Sequence, residues 1–287
     1  MNKFEIFTDS SCDLPEELLA KYGIFVQQLD VTVDGCDPVA NNKLDIKEFY
    51  AELRGGKCAK TNAVSMQAFK DNMRPIIEEG KDVIYIGFSS GLSATYNNGR
   101  LALSELKEEY PERTLLYADS LAASLGQGML VVYAAELRDK GATIQEVCDF
   151  VNNERLNICH QFTVDDLFFL KRGGRVNAAT AIVGSMLGIK PVLHVDNEGH
   201  LVSVDKARGR KAAILALFNK MKATADLSEY KYVYISHGDC IDDAELLAEM
   251  IKDEYSVDEV IINNVGPVIG AHSGPGTLAL FYYGTER

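Results

Sequence analysis

Two hydrophobic periods alternate along the first half of the chain. Phe4–Thr8 is a short run of strand character, Pro15–Tyr22 follows with helical spacing, and Ile24–Val33 reads as extended. Asp45-Ile46-Lys47-Glu48 has capping-box spacing and opens a helix to Arg54, stopped by Gly55-Gly56. Ser65–Glu79 is helical, Val83–Ile86 is a β-branched run fit for a buried parallel strand, and helical spacing resumes from Ser93 with Leu101, Leu103 and Leu106. Thr114–Ala118 is a strand, Ser120 is placed to cap a long helix toward Lys140, and Thr143-x-x-Glu146 caps the next. Strand and helix in alternation imply a parallel, doubly wound sheet.

The pattern changes past residue 155. His194–Val195 and Leu201–Val204 flank the turn signal Asn197-Glu198-Gly199 and predict an antiparallel hairpin. Arg208–Ala225 is helical, Tyr232–Ser236 a strand, Ile241–Glu254 an amphipathic helix, Glu259–Val265 a strand, and Leu278–Tyr283 closes the chain. The expected architecture is therefore an N-terminal parallel α/β domain, residues 1–155, and a C-terminal α+β domain with a mixed or antiparallel sheet, residues 156–287. The boundary falls near Asn152–Ile158.

Composition narrows the function classes. With 47% hydrophobic and 25% charged residues the chain is ordinary for a globular protein, and 287 residues suffice for two modest cores. A net charge of −13 leaves no basic excess for a nucleic-acid backbone. The six cysteines form no C-x-x-C pair and suggest neither a zinc site nor a disulfide framework, as expected of reduced thiols in a cytoplasmic protein. Met1–Glu5 lacks an apolar signal core, and the longest apolar stretch, Ala178–Val195, is broken by Gly184, Gly188, Lys190 and Pro191. No membrane span is expected, and at most transient membrane contact.

Candidate chemistry gathers in five polar loops. Val83–Arg100 joins a strand, the small-residue loop Gly87–Gly91 and a helix start, an arrangement that presents hydroxyls and free N–H groups to an anion. It lacks the Gly-Lys-Ser/Thr ending of a nucleotide P-loop, so a smaller or less charged anion is expected. Thr8–Asp13 follows the first strand, either as a ligand loop or as a capping turn ahead of Pro15. In Lys60–Ser65, Ser65 caps the next helix, while Thr61 and Asn62 could reach the crevice of Ser93. Lys171–Arg175 suits a helix C-terminus, with Gly173 at C′, and equally a ligand or partner contact. Gly270–Thr277 carries more glycine than a plain turn requires, and His272 adds a donor. His160, His194 and His200 read as satisfied strand or surface residues, with His237 intermediate. No two histidines have metal-ligand spacing with a carboxylate.

In order and across essentially the whole chain, Thr8–Pro15, Phe88–Tyr96, Leu170–Arg175 and the Gly270–Thr277 loop resemble the DegV family. The resemblance implies a parallel α/β domain joined to an α+β domain, with a long-chain fatty acid held between them. It further implies a lipid-binding subunit, without catalysis or cofactor of its own, that presents the acyl carboxylate to a separate ATP-dependent fatty acid kinase. On this reading Thr61, Ser93 and His272 hold the carboxylate. The family's Thr-Ser-Gln-Pro-Ser run stands here as Thr61-Asn62-Ala63-Val64-Ser65, and Ala94 replaces a usual glycine, so Asn62 and Ala94 enter the site by position rather than residue type. Arg172 and Arg175 brace the cleft or face the kinase. Arg208, in a cluster with Lys206, Arg210 and Lys211, either docks a partner or belongs to a solvated helix end.

Physical chemistry is compatible with that implication. A carboxylate needs one to three donors, which hydroxyls at a helix start supply. Burying roughly 14 methylenes at about 0.8 kcal/mol each gains on the order of 11 kcal/mol before association costs. Ala178–Ile189 could line such a tunnel or be plain core. Two rivals stand beside this reading. One is a Ser/His hydrolase or acyltransferase with Ser93 as nucleophile, although G-x-S-x-G is missing there. The other is a nucleotide-binding domain, for which neither a P-loop nor G-x-G-x-x-G is present.

Overall fold

The structure is a computed structural model describing residues 4–176 and 188–287. The chain runs β1 (Phe4–Asp9), α1 (Glu16–Tyr22), β2 (Phe25–Gln27), β3 (Asp30–Val33), β4 (Val39–Ala40), α2 (Ile46–Arg54), β5 (Ala59–Asn62) and α3 (Met66–Glu78). It continues with β6 (Asp82–Gly87), α4 (Thr95–Glu109), β7 (Leu115–Asp119), α5 (Leu125–Asp139), α6 (Ile144–Glu154), β8 (Ile158–Thr163) and α7 (Leu167–Gly173). Then follow β9 (Ile189–Val195), β10 (Leu201–Arg208), α8 (Arg210–Thr224), β11 (Tyr232–His237), α9 (Ile241–Glu254), β12 (Glu259–Asn264), α10 (Pro267–Ser273) and β13 (Leu278–Tyr283).

β2-β1-β6-β7 form an all-parallel sheet whose two faces are both covered. Alternation assigns the faces: Ile6, Ile84 and Ile86 pack with Met129, Leu130, Val147 and Val151 of α5 and α6, while Phe7, Val83 and Tyr85 pack with Phe69, Met73, Leu103 and Leu106 of α3 and α4. This is the doubly wound arrangement. The second sheet, β10-β9-β8-β13-β11-β12, is antiparallel except for the parallel β11–β12 pair, which α9 connects. One face carries α8 and α9. The other meets α5, which touches strands of both sheets. Leu125–Ala135 of α5 is buried all round, as a helix walled in on both sides must be. A small third sheet, β4-β3-β5, lies beside these.

Several expected boundaries move. α5 begins at Leu125, not at Ser120; the Ser120 hydroxyl instead donates to Gly87 O at 2.7 Å, and residues 120–124 form a turn with Leu121 and Ser124 at positive φ. Gly173 is the last helical residue of α7, and the left-handed cap is Gly174 at φ 72°. Half of the expected Gly270–Thr277 loop is helix, because Pro267 at its first turn starts α10. Lys206 and Arg208 lie on β10 rather than at a helix end, and Arg210 is ion-paired with Asp243 at 2.9 Å. The expected caps Asp45, Ser65 and Thr143 all accept from the third backbone N–H of their helices, and Glu146 completes the box on Thr143. The tunnel segment expected at Ala178–Ile189 lies outside the described residues up to position 187.

Candidate functional site

The strand ends and the α5 N-terminus surround a narrow cavity, with about 780 Å³ of space between atoms when the open solvent at its mouth is included. Its wall is mostly apolar, including Leu29, Leu92, Phe162, Val195, Leu201 and Phe281. Among the lining residues are Thr61, Ser93, Arg175 and His272. Four separate chain segments thus contribute polar groups to one hollow.

Each of these side chains is held for a local reason. Thr61 sits on β5, its position set by pairing with Val31 of β3. Its Oγ1 lies 2.7 Å from His272 Nε2. His272 rides on α10, whose start is fixed where Val268 N donates to Asn41 Oδ1 (2.9 Å). Gly270 lets that helix lie against Tyr50, since a Cβ there would stand 2.6 Å from the phenol oxygen. The imidazole fits only because Gly173 has no side chain: a Cβ there would overlap Nδ1. That Nδ1 has no hydrogen-bond partner. Burial pushes the imidazole down to about 4, with Arg175 and Arg172 adding to the effect, so His272 is neutral at pH 7. With Nε2 protonated, the ring donates to Thr61 and frees the threonine O–H to donate into the cavity.

Ser93 stands just ahead of α4. Its Oγ accepts from Thr95 N (3.1 Å) and donates to Thr95 Oγ1 (2.9 Å), so the fully buried Thr95 fixes its rotamer. Ser93 forms no bond to an imidazole, and the His272 ring is engaged with Thr61. In this arrangement Ser93 and His272 are each hydrogen-bonded to a threonine, Thr95 and Thr61, rather than to one another. Arg175 brings a permanent charge: its Nε donates to Leu92 O at 3.2 Å and its Nη1 to Gly173 O. The guanidinium braces the wall between the Ser93 and His272 segments.

Other expected residues fall elsewhere. Asn62 and Ala94 are exposed and do not line the cavity. Arg172 is exposed, donates to Cys58 Sγ (2.9 Å) and stacks over Phe169 at 4.8 Å. Arg208 is exposed on β10. The Thr8–Asp13 segment serves as a brace: the buried Asp9 carboxylate accepts from Tyr85 Oη (2.8 Å) and Phe88 N (2.9 Å), tying β1 to the loop after β6.

Sequence reasoning passed over two parts of the wall. Ser124, at φ 53°, donates to Asp13 Oδ2 (2.6 Å), and the Ser236 hydroxyl lies 3.0 Å from it. His160 is 1% exposed, lines the cavity and, among the described residues, has no hydrogen-bond partner on either ring nitrogen, contrary to the satisfied role expected of it. The first had a signal in the paired polar segments after β1 and β7. The second had none, because only the fold shows that this strand residue faces a hollow. His194 and His237 are partly or wholly buried without lining it, and the exposed His200 lies 3.7 Å from Asp196.

Fold and site together define a two-sheet α/β protein with a partly open, largely apolar cavity that also carries polar side chains. A model of the DegV family, described as an uncharacterised protein family, matches residues 3–285. The chain belongs to the DegV family. It is 40% identical over 289 residues to a DegV domain-containing protein of Clostridium perfringens, covering 100% of this chain and 99% of that one. A DegV domain-containing protein of Streptococcus pyogenes is 34% identical, with 98% of each chain covered. Among solved structures, a DegV lipid-binding protein from Thermotoga maritima superposes with a TM-score of 0.86 at 31% identity, covering 99% of both chains. A fatty-acid-binding DegV family protein from Thermus thermophilus gives 0.87 at 31% identity, covering 98% of this chain and 99% of that one. Among the described residues no helix is long and apolar enough to cross a membrane, and no group of three or more His, Cys, Asp or Glu is placed to hold a metal.

Proposed function

We propose that the protein is a cytoplasmic carrier that binds one long-chain fatty acid, with its carboxylate at Thr61, Ser93 and His272 and its tail in the apolar part of the cavity. The observation that carries this reading is that Thr61, Ser93 and His272 all line one hollow, Thr61 and His272 in hydrogen-bond contact, while most of the remaining wall is apolar. Arg175, half-buried at the same end, adds a positive charge suited to the head group. Relatives in Thermotoga and Thermus named for lipid or fatty-acid binding share both the fold and about a third of the sequence. On this reading the ligand lies between units of residues 1–155 and 156–287.

We further infer that the bound acid is presented to a separate ATP-dependent kinase that forms the acyl phosphate. Support comes from the family resemblance and from α7, where Arg172 and the 57% exposed Phe168 stand on the surface one turn from the head-group end. Arg208, exposed on β10, offers a second cation.

Native mass spectrometry of protein purified from bacteria tests the carrier reading. The wild type is expected to co-purify with fatty acid, and a Thr61→Ala/Ser93→Ala variant to lose it. A wild-type protein that emerges empty and ignores added fatty acid refutes the reading.

A further inference from the structure

The cavity has a second polar point far from its head-group end. Lining residues recur at every second position along the last strand: Thr277, Ala279 and Phe281. Phe281 pairs with His160 of β8 on one side and with Tyr234 of β11 on the other, so these three share a face. Thr277 adjoins the turn after α10, the helix bearing His272. Four residue steps lead from Thr277 to Phe281, roughly 13 Å of extended chain. His160, level with Phe281, therefore lies that far along the wall from Thr277, and a chain entering at the Thr277 end passes it at mid-length.

Its surroundings leave the ring unsatisfied. The imidazole stands edge-on to the Phe281 ring, with centroids 5.4 Å apart and planes at 90°. Against its other side lies Gly126, at which any Cβ would collide with Nε2, so α5 keeps a glycine where the ring needs space. Burial holds the ring neutral, with one N–H donor and one acceptor nitrogen. The nearby Ile158 carbonyl favours the protonated form slightly but leaves neither nitrogen in hydrogen-bond geometry. The Ser124 and Ser236 hydroxyls on the same wall are already bonded to each other, and Ser124 to Asp13. A buried polar group left without a partner is costly and rare.

We propose that His160 forms a subsite for an oxygen function at mid-chain, so that the preferred ligand class includes hydroxy or oxo long-chain fatty acids. The proposal rests on the fatty-acid reading above and names the substrate class for that site. A hydroxyl or carbonyl at this depth supplies the partner that the imidazole lacks. At roughly 1.3 Å of advance per carbon in an extended chain, 13 Å corresponds to about ten carbons. Where the wall is hydrocarbon, as at Phe162, Val195 and Leu201, a hydroxyl is penalised; beyond the head-group residues, the other polar groups on the wall are the serine and threonine hydroxyls of Ser124, Ser236, Ser273 and Thr277.

The test is displacement of a fluorescent fatty acid from lipid-stripped protein by octadecanoic acid and by its 3-, 8-, 10-, 12- and 14-hydroxy derivatives. In the wild type, affinity plotted against hydroxyl position is expected to peak near carbon 10. The ratio of 10-hydroxy to plain-acid affinity should fall about tenfold in His160→Leu. His160→Gln, which keeps a donor, should recover most of it, whereas a merely structural histidine would alter both acids alike. A flat or steadily declining hydroxyl profile in the wild type overturns the subsite, whether or not the leucine variant folds, as do equal ratios in wild type and His160→Leu. Failure of the wild type to bind plain octadecanoic acid refutes the carrier reading itself, and the subsite with it.

Discussion

Gly173→Ala isolates the head-group geometry with a single added methyl. Gly173 ends α7 in helical conformation, so alanine is compatible with its backbone and improves helix propensity by up to ~1 kcal/mol. The new Cβ would overlap His272 Nδ1 and stand 3.2 Å from Cγ. The ring must turn away, breaking its 2.7 Å contact with Thr61. Loss of that bond costs about 1 kcal/mol net, so the stability of the lipid-free protein should change little. Binding should suffer more, because the threonine O–H loses the partner that aims it. A displaced donor at a buried carboxylate costs about 1–3 kcal/mol, or roughly 5- to 150-fold in Kd.

The assay pairs a fluorescence titration of fatty acid with thermal unfolding of the lipid-free protein. Gly173→Ala is expected to unfold within a few degrees of wild type yet bind fatty acid at least fivefold more weakly. A double-mutant cycle identifies the route of the effect: in a His272→Ala background the space beside residue 173 is open, and the added methyl should cost almost nothing. Wild-type affinity in Gly173→Ala, or an equal loss in both backgrounds, refutes the claim that the glycine acts through the imidazole.

Two buried groups should impose opposite pH dependences. His272 is held at about 4 in the folded protein against 6.5 when exposed, so the unfolded chain binds more protons between those values. Stability should fall as pH drops from 6.5 toward 4, and His272→Gln should flatten that slope in chemical denaturation. Asp13 is pushed up to about 7 by burial, from 3.8, despite the hydrogen bond from Ser124. Here the folded state holds the extra proton, stability should decline as pH rises from about 4 to 7, and Asp13→Asn should remove that decline. An unchanged pH profile in either variant contradicts the corresponding assignment.

What could be read from the sequence followed the strength of local signals. Val83–Ile86, Ile241–Glu254 and Leu278–Tyr283 carry unambiguous periodicity and sit where expected. β5 is Ala-Lys-Thr-Asn, with only Ala59 buried, and nothing in that composition announces a strand. β8, Ile-Cys-His-Gln-Phe-Thr, was hidden for the opposite reason: all six residues are buried, although half are polar. Ser124 and Leu121 adopt positive φ without glycine, so the delayed start of α5 had no chemical marker. For the site, Ser93 and His272 stood out in polar loops near glycines and Thr61 in a polar loop without one, but grouping the three rested on the family resemblance. His160 needed the topology, since the same residue on the opposite face of β8 would pack under α8.

The cavity itself follows from how α5 is shared. A helix buried between two sheets must fill both interfaces at interior density, and most of α5 does so with Met129, Leu130, Val131 and Tyr133. At its leading end the residues that line or adjoin the cavity, Ala123 and Ser124 of the preceding turn and Gly126 beside His160, are too small to reach across. Apolar wall atoms without partners cost stability, about 24 cal/mol for each Å³ left unfilled. An acyl chain occupying that space replaces the missing packing as well as leaving water, so ligand and fold stabilise one another. Saturation with fatty acid at 100 times Kd should then raise unfolding free energy by about 2.7 kcal/mol. The same coupling gives the small residues at the head of α5 their place in the proposed binding: enlarging them to fill the gap would stabilise the empty protein and remove the space proposed for the tail.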